Sequence, residues 1–456
     1  MEIPFTFEPL LAFGAMGIFL VIGVFLRAKV SFFQSFLLPS CLIGGALGCI
    51  LINMRVVKLP FSLFENYAFH LLNIAFISAG LTRDENSQNG MWKAKEVFRG
   101  AFWFALIKGV TWPLQALIGL LFVLAFGLVG VELFPTFGLL MPVGFNEGPG
   151  QALAIGKVYE GAGFGFAPTI GLTFAFAGYL FCFFLGMPLV KWGLNKRSAA
   201  DGRNSMSEDF LKGILPKEKG DKVAGKLTMH SENIDTLAFQ LAIIGVVYIL
   251  TYFELSGLCR ALSPELGKMI WGFFFGFGMV NGFFISRVLG KVRIGYLIDS
   301  GLQRRITGFS LDFMIVATLM AIQIGVFWKY FLPILFIAIT GGLMTLSVIV
   351  FFGRRLYGGN LERTLIAYGM YTGQMSTGLL LLRMVDPDFK SQQLAELGIY
   401  NFLSPIFTFS CMIIAVGQIS WQWSIGLTML LYGSIMLVSL VVLRIFYWKE
   451  PQAIFK

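Results

Sequence analysis

An all-α polytopic membrane protein is the fold class the sequence predicts. Three observations carry it: 57% hydrophobic residues against 13% charged, a mean hydropathy of +0.77, and apolar runs of spanning length divided by short basic segments. Soluble domains hold roughly a quarter charged residues. The acidic and basic residues of this 456-residue chain are too few to cover a water-soluble globule, and its 49 Phe would leave aggregating apolar patches.

A bilayer core takes about 20 mostly apolar residues per helix. On that ruler, spans fall near 9–26, 36–53, 67–82, 101–129 and 166–190, then near 236–253, 269–286, 308–327, 331–352, 398–418 and 424–446. The first run lacks a basic leader and a small-residue cleavage site, and reads as a retained helix. Two more stretches, 138–158 and 364–385, are apolar but interrupted by Gly and polar residues; they are predicted as re-entrant hairpins. The five Cys lie in or beside apolar runs without a CxxC spacing, so they read as small buried hydrophobes.

Basic residues test this order, because Lys and Arg collect in cytoplasmic loops. With the amino terminus outside and each hairpin returning to its own side, 28 of the 35 Lys and Arg fall in segments predicted to be cytoplasmic, and Lys108 lies within a span. The net charge of +10 is therefore a topology signal, with no nucleic-acid partner needed. The polar stretch 191–235 has mixed charge and no periodic apolar face, which predicts a solvated cytoplasmic linker that helps set the orientation; contact of its basic residues with anionic membrane lipid is the lesser alternative.

That linker divides the chain into halves with one element order: four spans, a Gly-rich broken stretch, one more span. The first half starts outside and the second inside, the pattern of inverted-topology repeats. The predicted units are a first repeat over 1–190, the linker over 191–235, a second repeat over 236–420 and an appended transmembrane helix over 421–456. In the first broken stretch Gly144-Phe145-Asn146-Glu147-Gly148-Pro149-Gly150-Gln151 interrupts apolar sequence; in the second, Gly369-Met370-Tyr371-Thr372-Gly373-Gln374-Met375-Ser376-Thr377-Gly378 does so. Irregular backbone at membrane depth is tolerated only against protein or a watery cavity, and a half-helix after a break aims N–H groups and a positive dipole end at whatever binds there.

These stretches nominate Asn146, Gly148, Gly150, Gln151, Thr372, Gly373, Gln374, Ser376 and Thr377 for a small anionic substrate. Glu147 suits a coupling cation or proton, since a lone carboxylate beside an anionic substrate in a dry cavity repels it; capping the next half-helix is its other role. Asn73 and Ser78 offer oxygens to a monovalent cation, though Ser hydroxyls in spans often bond their own backbone. Asp312 fits either that cavity or the cytoplasmic interface near Arg304 and Arg305. His70 and His230 are the only histidines. There is no HExxH and no P-loop, which argues against a zinc protease or an ATP-driven pump. A channel and a membrane-embedded enzyme are the rival classes.

The element order resembles the bacterial sodium/glutamate symporters over nearly the whole chain. The local matches are Leu38-Pro39-Ser40-Cys41-Leu42-Ile43-Gly44-Gly45, Ala75-Phe76-Ile77-Ser78-Ala79-Gly80-Leu81 and the two hairpins, the second continuing to Leu381-Leu382-Arg383-Met384-Val385-Asp386-Pro387 as in the less studied branch of that group. The resemblance implies a sodium-coupled carrier of acidic amino acids in the cytoplasmic membrane. It also implies a homodimer with a transport domain moving against a scaffold, sodium as the coupling ion and no other cofactor. One departure is the first tip, where Asn146-Glu147-Gly148-Pro149-Gly150 replaces a Gly-His-Gly-Thr-Gly pattern.

The orientation is open to a direct check. A single cysteine placed in the 191–235 linker, or after Glu450, of a variant lacking the five native Cys is expected to react with an impermeant maleimide only once the membrane is opened. Labelling of the linker from outside intact cells would reverse the assigned topology.

Overall fold

The computed structural model describes residues 6–36, 38–82, 94–201, 212–214, 225–230, 232–261, 270–271, 274–355, 360–386 and 392–448; of residues 94, 194–201, 376, 383, 394, 395 and 402 the backbone alone is described. Every regular element among the described residues is helical. The principal helices are α1 Glu8–Lys29, α2 Ser40–Asn53, α3 Phe61–Leu81, α4 Ala94–Leu128, α5 Pro149–Gly161, α6 Ala167–Asp201, α7 Thr236–Ala261, α8 Phe274–Lys291, α9 Ser300–Met320, α10 Phe331–Gly353, α11 Leu361–Tyr371, α12 Met375–Val385, α13 Gln393–Ser420 and α14 Ile425–Tyr447. Their starts follow local chemistry. Asp299 caps α9 by accepting from the Leu302 N–H at 2.7 Å, Asn360 caps α11 through Arg363 N–H at 2.9 Å, and Ser424 caps α14 through Leu427 N–H at 3.1 Å.

Seven of the described helices are long and apolar enough to cross a membrane: those within α1, α4, α6, α7, α10, α13 and α14. The chain is a multi-pass membrane protein. On α1 and α14, Ile18, Val21, Phe25, Leu430, Leu437 and Val438 are all more than half exposed, an outer surface suited to lipid and not to water. The other four predicted spans are helical too, as α2, α3, α8 and α9, but they fall short in length or apolarity. At 1.5 Å per residue the 14-residue α2 reaches only about 21 Å. The other three carry polar side chains such as Asn73, Asn281 and Gln303. α6 runs on through 191–201, into the segment predicted as linker, because its Lys, Arg and Ala residues favour helix once outside the bilayer. Most of the rest of that linker lies outside the described residues.

The helices gather into two compact units, each drawn from stretches far apart in the sequence. The first contains α1–α3 and α7–α9. Two glycine contacts set its helix spacing. A Cβ on Gly44 of α2 would strike the Phe19 carbonyl of α1 and lie 3.1 Å from Leu20 N; one on Gly80 of α3 would strike the Met279 carbonyl of α8 and lie 3.1 Å from Phe283 N. Backbones can approach this closely only without a side chain between them. Beside these contacts a polar chain crosses the unit. Ser78 Oγ lies 2.6 Å from Gln303 Oε1 and 2.7 Å from the Gln303 carbonyl, and Gln303 Nε2 donates to Gln240 Oε1 at 3.0 Å. Asn53 ties the end of α2 to the turn after α9, donating to Ile322 O and accepting from Ile324 N, each at 2.8 Å.

The second unit contains α4–α6 and α10–α14. Its long α4 packs along α13 and α14, and Tyr432 Oη of α14 donates to the Cys411 carbonyl of α13 at 2.9 Å. The half-buried guanidinium of Arg363, in the first turn of α11, forms a two-pronged pair with the buried Glu396 of α13, with Nε to Oε2 at 2.8 Å. Gly100 of α4 leaves room for that carboxylate.

Because backbone atoms, not flexible side-chain ends, oppose Gly80, Gly80→Val is expected to destabilise the protein by about 1–3 kcal/mol. Thermal unfolding in detergent would register this as a lower midpoint, whereas an unchanged midpoint would mean that α3 and α8 separate freely.

Candidate functional site

Two broken helices define the candidate site, both in the second unit. The chain ahead of the first break winds through a short 3-10 turn, Phe137–Leu139, and a π-helical segment, Val143–Glu147. π-Turns widen a helix and release its hydrogen-bond ladder. Gly148 then adopts φ 81° and ψ −176°, a conformation natural to glycine, and Pro149 begins α5, where its missing N–H is no loss. At the second break α11 stops at Tyr371, residues 372–374 are non-helical, and α12 starts at Met375 with Gln374 extended at φ −165°. Thr377 Oγ1 accepts from the Gln374 N–H at 2.9 Å and lies 2.7 Å from both the Gly369 and Gln374 carbonyls, closing the chain across the gap.

The two breaks meet. A Cβ on Gly148 would lie 2.9 Å from Gln374 Oε1 and 3.4 Å from the Gly373 carbonyl. α6 runs close to both, at Ala175 beside Gly144 and at Gly178 against the Thr372 carbonyl. Gln115 of α4 joins them chemically. Its Nε2 donates to Tyr371 O at 2.9 Å and to Thr345 Oγ1 of α10 at 2.8 Å, while its Oε1 accepts from Asn146 Nδ2 at 2.7 Å. One buried amide thus holds the last residue of α11, the segment before Gly148, and α10.

Around this junction several polar atoms are buried without a hydrogen-bond partner: Asn146 Oδ1, both amide atoms of Gln151, and Gln374 Nε2. Their residues are 6%, 2% and 8% exposed. Buried polar groups are nearly always satisfied, so unsatisfied donors and acceptors at the N-termini of two half-helices suit a polar, anion-bearing ligand.

Glu147 has a partner that the sequence reading did not give it. Lys108 Nζ of α4 lies 2.7 Å from Glu147 Oε1, with both side chains more than nine-tenths buried, and Thr408 Oγ1 of α13 donates to the same oxygen at 3.2 Å. The requirement that a cation accompany this carboxylate is met from within the chain.

Of the residues nominated from sequence, the structure gathers Asn146, Glu147, Gly148, Gly150, Gln151, Thr372, Gly373, Gln374 and Thr377 on the two breaks and the first turns after them. Ser376 is in the first turn of α12, and its side chain lies outside the described residues. Asn73, Ser78 and Asp312 belong to the first unit. Ser78 is engaged by Gln303; Asn73 is fully buried with neither amide atom hydrogen-bonded; Asp312 is exposed, beside Cys41. Among the described residues, no group of three or more His, Cys, Asp or Glu could hold a metal ion. Gln115, Thr345 and Thr408 were not singled out from sequence. A lone amide or hydroxyl in a long apolar helix gives no local pattern, although Gln115 stands two turns from Lys108 on the same face of α4.

A family model described as sodium/glutamate symporter matches residues 5–378. The chain belongs to the sodium/glutamate symporter family. No curated protein and no solved structure matches it. The family is one of transporters and not of enzymes, and the matched segment contains Lys108, Gln115, Glu147 and both breaks.

Gln115→Leu would strand Asn146 Nδ2 and the Tyr371 carbonyl in a dry interior. The expected loss is about 1–3 kcal/mol, visible as a lower unfolding temperature. A variant as stable as the parent would show that the junction relaxes without this amide.

Proposed function

We propose that the protein is a sodium-coupled symporter of an acidic amino acid, glutamate-like, or of a related carboxylate. The observation that carries this reading is the junction of the two breaks, where Asn146 Oδ1, both amide atoms of Gln151 and Gln374 Nε2, all unpartnered, meet the starts of α5 and α12. An anionic group is favoured at each half-helix start by roughly 0.3–2 kcal/mol, and neutral amides add donors without the desolvation of a second charge. Thr377 is already committed to closing the break, so its part is to shape the site while Gln151 and Gln374 supply free hydrogen-bonding capacity. Membership of the symporter family supports sodium as the driving ion. Neutral oxygens such as Asn73 Oδ1 suit that ion, with Ser78 and Asp312 as further candidate ligands.

The same reading takes the two breaks as tips of re-entrant hairpins in inverted repeats. The order of elements supports it: α1–α4, a broken segment with α5, then α6; and after the linker α7–α10, the broken pair α11–α12, then α13, with α14 appended. Alternating access is then of elevator type, with the unit that contains the breaks as the moving carrier. The distribution of basic residues supports the amino terminus outside and the carboxyl terminus inside a bacterial cytoplasmic membrane. A homodimer completes the proposal.

The test is uptake into proteoliposomes from a panel of amino and dicarboxylic acids. Sodium-driven accumulation against a gradient is the expected result. Purely downhill flux would indicate a channel, and conversion of the substrate would indicate an enzyme. Gln151→Leu sharpens the assignment. Replacing an unsatisfied buried amide by an apolar side chain of similar size is expected to leave the unfolding temperature unchanged or raised. Substrate affinity should meanwhile fall roughly tenfold, the equivalent of about one hydrogen bond. Unaltered affinity would put the substrate elsewhere.

A further inference from the structure

Lys108 and Glu147 are separated by 39 positions in sequence and come from different kinds of backbone, the middle of α4 and the last residue of a π-helical segment. Their side chains are 5% and 8% exposed. An ion taken so far from water needs an opposite charge, and the 2.7 Å contact supplies one to each. The other titratable groups facing the pair are Tyr371 of α11 and Tyr400 and Cys411 of α13. The pair borders the junction directly, because Glu147 lies between Asn146, whose carbonyl oxygen Oδ1 is unpartnered, and Gly148, which touches Gln374.

We propose that Lys108 is a tethered counter-cation: its ammonium holds the place at Glu147 that a coupling ion would otherwise have to fill, so the first break is electrically neutral while the carrier is empty. The idea rests on the transport reading given above and adds to it. An anionic substrate arriving at the amide nitrogens of Gln151 and Gln374 meets a neutralised pair and not a bare carboxylate. Any sodium that drives transport binds away from Glu147, and the empty carrier needs no ion at this position in order to close.

The experiment compares thermal unfolding of the purified full-length wild type, Lys108→Met, and the double variant Lys108→Met with Glu147→Gln. Sodium is exchanged for choline at constant ionic strength, from pH 5 to pH 8. Loss of the ammonium leaves Glu147 to find a proton or a metal cation. Lys108→Met should therefore gain stability from sodium, or lose stability as pH rises, by several degrees more than the wild type. The double variant has no carboxylate to neutralise and should return to the wild-type response. Identical responses in all three would overturn the proposal. If Lys108→Met yields no folded protein, recovery of folding in the double variant supports it, because only the uncompensated charge differs. Failure of both would assign Lys108 to packing and overturn it. Substrate uptake by the wild type is measured separately, so an absence of transport would sink the functional reading while leaving the charge result to stand on its own.

Discussion

A helix that breaks inside apolar surroundings releases N–H and C=O groups that lipid cannot satisfy, and much of the second unit is arranged around that constraint. At the second break Thr377 folds back on Gly369 and Gln374. Between the breaks, Gln115 takes up the Tyr371 carbonyl and steadies Asn146. On α6, the lack of a side chain at Gly178 lets the helix lie against the Thr372 carbonyl. At the meeting of the two breaks, polar atoms of three amide side chains, Asn146, Gln151 and Gln374, stay unsatisfied. A protein able to satisfy Tyr371 O and Gln374 N–H with such economy has no evident structural reason to leave Gln151 bare, and so the residual polarity reads as binding capacity.

The first unit solves a different problem. Its helices α2, α3, α8 and α9 are shorter or more polar than ordinary spans, and they compensate by contact. Glycines allow α2 to press on α1, and α3 on α8, while the Ser78–Gln303–Gln240 chain satisfies polar groups across α3, α9 and α7. Close packing of this kind suits a rigid body, since a small shift meets backbone atoms instead of yielding side chains.

The fold class, the helix order and the two breaks were legible in the sequence because each leaves a local mark. Apolar runs are long, Gly148-Pro149-Gly150 and Thr372-Gly373-Gln374 interrupt such runs, and Gly44 and Gly80 stand in small-residue clusters. The role of Glu147 was only half legible. Its position at a break could be read, but its partner lies 39 positions earlier, and nothing in the residues around Lys108 points forward to it. Ser78 reads from sequence either as an oxygen ligand or as a hydroxyl bonded to its own backbone, and its contact with Gln303, 225 positions distant, leaves no local mark. The sequence predicts eleven spans, and among the described residues seven helices meet the length and apolarity of a span. The difference arises because short, polar helices can be buried by neighbours, which a per-segment hydropathy reading does not include.

The helix α4 is also a ruler. Lys108, Gln115 and Gly119, which sits against Gly138, lie within a narrow arc of its surface, because steps of seven and eleven residues each return to within about 20° of the starting direction at 3.6 residues per turn. A one-residue insertion between Lys108 and Gly119 would rotate everything beyond it by about 100°. It would part the ion pair from the amide bridge, or the bridge from the glycine contact. Length in this stretch is consequently far less free to drift than composition: its apolar positions can be exchanged for one another, but its register cannot be gained or lost by single steps.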